Sequence, residues 1–151
     1  MPDVLGKWPV TIELPLQWGD MDAFGHVNNV VYLRWFESAR IAYFDRVRLF
    51  SKMPGEGPIL ARQEIDYRIP LRYPDRLLVS ATVSKLGNTS LTMSLRLRSH
   101  AHERAIAAEG AAVIVMMDYR AGRKIPLGDE LRGRIEALEA TGPDQPPPQG
   151  D

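Results

Sequence analysis

The 151-residue chain contains no cysteine, and that absence removes disulfides, thiolate nucleophiles and thiolate metal sites together. It carries no excess charge either. Nineteen lysines and arginines balance nineteen aspartates and glutamates, so no overall field gathers nucleic acid or an anionic membrane, and any phosphate must be met locally. No stretch approaches the roughly twenty consecutive apolar residues that span a bilayer. The start MPDVLGKWPVTIEL lacks the basic segment followed by an apolar one that marks a secretory leader. These absences together predict a cytoplasmic protein that engages neither membrane nor nucleic acid.

What is present fits one domain, residues 1–140, followed by a polar, proline-rich tail, TGPDQPPPQGD, over 141–151 that is expected to be disordered. Val10, Ile12, Leu14 and Leu16 alternate with polar or interrupting residues, which reads as a strand with one apolar face, and Pro15 marks it as an edge or a bulge. From Asn29 to Val47 no glycine or proline intervenes, and Tyr32, Phe36, Ala39, Tyr43 and Val47 recur at three- and four-residue steps. This predicts a helix roughly 28 Å long at 1.5 Å per residue, apolar enough to be largely wrapped. Ile59, Ala61, Ile65, Tyr67 and Ile69 share one parity, PLRYPD interrupts, and Leu77, Val79, Ala81 and Val83 resume. The turn signal at Lys85-Leu86-Gly87-Asn88 then joins this strand to Leu91, Met93, Leu95 and Leu97 as a hairpin. The run Ala105 to Met117 reads as a central strand covered on both faces, and Leu127 to Ala140 as a weaker helix. One long apolar helix against five or more antiparallel strands predicts an α+β architecture in which the sheet curls around the helix.

The densest polar segment is GDMDAFGHVNNVVY, residues 19–32, directly ahead of that helix. Asn28 or Asn29 can cap the helix, because an Asn side chain accepts from otherwise unpaired first-turn N–H groups. The remaining donors, with the positive end of the helix dipole, suit an oxygen that becomes negative during attack on an acyl group. Gly25 lets backbone approach a substrate closely. A carboxylate on the loop, which carries Asp20 and Asp22, supplies the base or nucleophile that acyl transfer needs beside those donors.

These residues resemble the 4-hydroxybenzoyl-CoA thioesterase group of hotdog enzymes, which share a strand, G-D-x-D, a short glycine-containing loop and a long central helix. The resemblance implies a hotdog fold and hydrolysis of an acyl-coenzyme A thioester without a cofactor, in a homodimer or homotetramer. Asp22 matches the family's catalytic aspartate, and the Asn29 N–H falls where the thioester carbonyl is polarised. HVNNVVYLRWFESAR is also similar to plant acyl-carrier-protein thioesterases, where His26 matches a catalytic residue, although Phe24 stands where those enzymes carry Asn. Asp22, His26 and Asn29 are thus the candidate catalytic residues, with Gly25 and Asn28 at the substrate. A hotdog dehydratase or hydratase, and a non-catalytic acyl-CoA binder, are the alternatives.

Other residues take lesser roles in this reading. Asp20 holds Asp22 in place through loop N–H groups. The loop fails the calcium-loop pattern at Phe24 and Val31, so no metal is expected. His100 and His102 read as an exposed, uncommitted pair. Tyr32, Trp35, Phe36 and Tyr43 are assigned to core or subunit contact, with some free to line an acyl tunnel. Arg62, Arg68, Arg72, Arg76 and Lys85 are candidates for coenzyme A phosphates.

Overall fold

Alternation with period two and helical periodicity meet on one apolar interface. In a computed structural model, which describes residues 4–144, the chain forms β1 (Val10–Leu16), α1 (Asn29–Arg46), β2 (Glu56–Tyr67), β3 (Asp75–Leu86), β4 (Ser90–Ser99), β5 (Ala105–Asp118), the short β6 (Arg123–Lys124) and α2 (Asp129–Glu139), with 3₁₀ turns at Trp18–Asp20 and His100–His102. The curled sheet is antiparallel throughout, in the order β1-β3-β4-β5-β2, with β6 extending the pairing of β5. Leu77, Val79, Ala81 and Val83 of β3 and Leu91, Met93, Leu95 and Leu97 of β4 are all buried on the inner face. Tyr32, Phe36, Ala39 and Tyr43 of α1 pack against them in one core. Removing the apolar surface of such residues from water contributes about 25 cal/mol per Å².

The α+β class and the order of elements agree with the sequence reading, and β1 with its Pro15 does lie at a sheet edge. Three details differ. Helix α1 is covered on one side only within the chain: Val30, Leu33 and Ile41 are exposed on the other. In β2 the register with β5 slips between Leu60 and Arg62, and a one-residue bulge flips every later side chain to the opposite face. Ile59 and Ile65 therefore face opposite ways despite sharing parity. Strand β5 is central, yet Glu109, Ala111 and Val113 on its outer face are only partly buried.

Helix α2 closes one end through its last residue. The Glu139 carboxylate is fully buried and accepts from the Lys7 N–H, the Thr82 hydroxyl, the Tyr43 hydroxyl and the Val83 N–H at 2.6–3.1 Å. Four donors offset the cost of burying its charge. Of the expected tail, residues 141–144 are described, and the Asp144 N–H donates to the Trp8 carbonyl; residues 145–151 lie outside the described residues.

Candidate active site

The polar loop is held from below by Asp20. This buried carboxylate accepts from the Gln17 N–H at 2.8 Å and from Arg34 Nη2 at 2.9 Å, while its carbonyl accepts from the Asn28 N–H at 3.0 Å. Asp20 thereby ties the end of β1, the loop and the first turns of α1 together. Between them the chain makes a tight hairpin: Met21 bridges Val27, the Asp22 N–H donates to the His26 carbonyl, and the Gly25 N–H returns to the Asp22 carbonyl. Gly25 sits at φ +80° with nothing within 4 Å of where a Cβ would be. Its requirement is the left-handed bend that closes a three-residue loop, not lack of room.

Asp22 Oδ1 accepts from the Phe24 N–H at 2.9 Å. Among the described residues Oδ2 has no protein donor. His26 Nε2 lies 3.0 Å from Arg72 Nη2, and the Val27 N–H donates to the Leu71 carbonyl at 2.9 Å. The segment Leu71-Arg72 thus docks the far side of the hairpin. Asn28 is the helix cap: its Oδ1 accepts from the Val30 N–H at 3.0 Å. The Asn29 N–H has no acceptor among the described residues, which is the normal state of a first-turn donor.

Asp22, His26 and Asn29 line one cleft of about 390 Å³ together with Tyr32, Tyr67 and Arg68. Gly25 and Asn28 are not on its wall; they shape the hairpin and the helix start. Tyr32 and Tyr67 stand edge to face with centroids 5.0 Å apart. Burial raises the Tyr32 hydroxyl to about 12, against a hydrogen bond with the Leu71 backbone that works the other way, and burial raises Tyr67 as well. Both phenols are neutral near pH 7, and the Tyr67 proton is donated to the Asn29 carbonyl. The cleft can therefore present a carboxylate oxygen, a helix-terminal N–H and the neutral Tyr32 hydroxyl to one bound group.

The sequence places Tyr67 only on a strand face and Tyr32 chiefly in the core; nothing in the local pattern around either residue shows that they meet the loop. A larger cleft of about 460 Å³, lined by Arg48, Lys52, Leu127 and Arg134, lies at the opposite end of α1 and contains none of the candidate residues. His102 is exposed as expected, but His100 is not, and neither ring is without a partner. The His100 side chain is 9% exposed and lies 3.5 Å from Glu13, and His102 Nδ1 lies 3.0 Å from the Ser99 hydroxyl. That hydroxyl is fully buried and also contacts the Asp75 carboxylate. Ser99 donates its hydroxyl hydrogen to the Asp75 carboxylate and so accepts from His102 Nδ1–H, an order of the three groups that is wrong for a serine nucleophile.

A family model described as the thioesterase-like superfamily matches residues 16–135. The chain belongs to this superfamily. A thioesterase of Thermus thermophilus, solved with coenzyme A and zinc, is 34% identical, with 88% of this chain and 96% of that one covered and a TM-score of 0.77. A putative thioesterase from Pseudomonas aeruginosa is 30% identical, with coverage of 85% and 98% and a TM-score of 0.77. The long-chain acyl-CoA thioesterase FadM of Escherichia coli is 25% identical over 78% of this chain and 90% of its own. As a member of the superfamily, with these relatives, the chain is a hotdog-type thioester hydrolase. No cluster of three or more His, Asp or Glu side chains able to hold a metal occurs among the described residues, and no helix among them is long and apolar enough to cross a membrane.

Proposed function

We propose that this superfamily member hydrolyses an acyl-coenzyme A to the free acid and coenzyme A, with Asp22 as the reacting carboxylate. The observation that carries this reading is the placement of Asp22 and the unpartnered Asn29 N–H on one cleft at the start of α1. The thioester carbonyl points at the Asn29 N–H, where the helix dipole stabilises the negative oxygen. Asp22 removes a proton from the attacking water, or itself attacks and is released by water. Collapse of the tetrahedral species breaks the C–S bond and expels coenzyme A thiolate, which takes up the proton that Asp22 removed from water or, when Asp22 is the nucleophile, a proton from solvent before water opens the anhydride. His26 and Asn28 keep the loop in position, and Gly25 allows the turn.

Coenzyme A in the Thermus thermophilus relative and the acyl-CoA thioesterase activity of FadM support the choice of thioester. In this reading the chain is a single domain of the 4-hydroxybenzoyl-CoA thioesterase type with α1 as its central helix, acts in the cytoplasm, and works as a homodimer or homotetramer. Support for the oligomer comes from the free edge of β2, the open face of α1 and Phe24, 86% exposed at the tip of the hairpin. A second copy covers such apolar surface.

The test is thiol release from a panel of acyl-CoAs, short, long and aryl, by wild type and Asp22→Asn. The variant is expected to lose at least about 100-fold in kcat with KM within about threefold. Wild-type turnover by Asp22→Asn overturns the assignment. Thermal stabilisation by acyl-CoA with no thiol released indicates a binding protein, and an absorbance change on an enoyl-CoA without thiol indicates a hydratase.

A further inference from the structure

His26 lines the cleft, yet its ring is not free to act as a base at both nitrogens. Arg72 Nη2 stands 3.0 Å from His26 Nε2. A guanidinium has hydrogens on every nitrogen, no acceptor, and does not deprotonate. The contact is therefore a hydrogen bond only if Nε2 carries a lone pair, which makes the imidazole neutral with its one proton on Nδ1. A protonated ring would set two cationic N–H groups against each other at that distance.

The backbone makes this pairing reproducible. The Leu71 carbonyl accepts from the Val27 N–H at 2.9 Å, and Leu71 itself is fully buried, so the residues next to both partners are fixed to each other. The charged and titratable groups facing the same cleft are Asp22 from the hairpin, Tyr32 from α1, and Tyr67 and Arg68 at the end of β2. Arg68 is already engaged by Glu109 at 2.8 Å. No other residue among those described makes a hydrogen bond to the His26 ring.

We propose that Arg72 is a positioning residue: by occupying His26 Nε2 it fixes the ring as the neutral Nδ1–H tautomer, making His26 a hydrogen-bond donor to the bound thioester and leaving the base role to Asp22. The proposal rests on the reading that the thioester binds in this cleft. It assigns Arg72 a function in the loop's chemistry in place of contact with a coenzyme A phosphate.

Nitrogen-15 NMR of histidine-labelled protein across pH 5 to 9, with His26 assigned by loss of its signals in His26→Gln, reads the tautomer directly. Wild type is expected to show a bare Nε2 and a protonated Nδ1 at neutral pH. Arg72→Met is expected to shift the ring toward Nε2–H and to lower kcat about tenfold with KM little changed. Arg72→Lys, which keeps a cationic donor, recovers part of both. A His26 ring that is charged or Nε2-protonated in wild type, or an Arg72→Met protein with unchanged tautomer or unchanged kcat, overturns the proposal. A loss in KM alone points to a phosphate contact and overturns it too. The tautomer is measured without substrate, so failure of the thioesterase reading through Asp22→Asn remains a separate result.

Discussion

The Tyr67 hydroxyl donates to the Asn29 carbonyl at 3.2 Å, joining the last residue of β2 to the first residue of α1. Both residues line the cleft, and the bond ties the strand end to the helix start there. Tyr67 also holds the edge of Tyr32, whose ring is a further wall residue.

Tyr67→Phe keeps the ring contact and removes only this bond. Because Tyr67 is about half exposed, the loss in stability is expected to stay below about 1 kcal/mol, measured by urea denaturation. Turnover is expected to fall several-fold if, as proposed, the N–H of the same residue, Asn29, receives the oxyanion. Equal losses in stability and no change in kcat would remove Tyr67 from the site.

Glu139→Gln addresses the lock at the other end of α1. The four groups around Glu139 all donate, and an amide places an NH₂ where two of them need an acceptor. A loss of about 3 kcal/mol follows from breaking a buried charged network, or roughly 6–12 °C in Tm for a chain of this size. The kcat of the folded protein at 25 °C is expected to be unchanged, since Glu139 does not line the cleft.

Alkaline pH gives a prediction with a definite sign. Tyr32 is raised from 10.0 to about 12 by burial, and Tyr43 is raised further, first by burial and then by its bond to Glu139 and that residue's charge. The unfolded chain loses these protons near 10 while the folded chain keeps them, so stability is full below pH 10 and falls as pH rises through the folded values. The Tyr32 difference alone amounts to at most about 3 kcal/mol. Denaturant titrations from pH 9 to 11.5 should show the decline, and Tyr32→Phe should flatten it. A stability curve rising over that range would contradict the burial of both hydroxyls.

These contacts mark the boundary of what the sequence conveys. Helix α1 is readable because its cap, its uninterrupted run and its three- and four-residue spacing agree locally, and β4 because Leu91 to Leu97 alternate without a break. The phase of β2 is not readable, since a bulge after Leu60 reverses the faces without leaving a glycine or proline to mark it. Asp22, His26 and Asn29 are legible as a group because they lie close together on one loop and helix start. Arg72 reaches His26 across 46 residues, and Tyr67 reaches Asn29 across 38; such pairs are set by how strands fold back, and local periodicity carries no trace of them.

Asn28 separates the stability of α1 from the chemistry at its start. Asn28 Oδ1 accepts from the Val30 N–H, and Asn28→Ala is expected to cost about 1 kcal/mol by removing the cap. Asn28→Asp keeps the acceptor and adds a negative charge that the helix dipole favours, so Tm should hold or rise. The same charge stands one residue from the Asn29 N–H, the proposed oxyanion donor, and would oppose a negative oxygen there. Asn28→Asp is therefore expected to lose about tenfold in kcat with Tm held or raised, a pairing that no general loss of structure produces. Full turnover by a stabilised Asn28→Asp would mean that the negative oxygen does not form at this end of the helix.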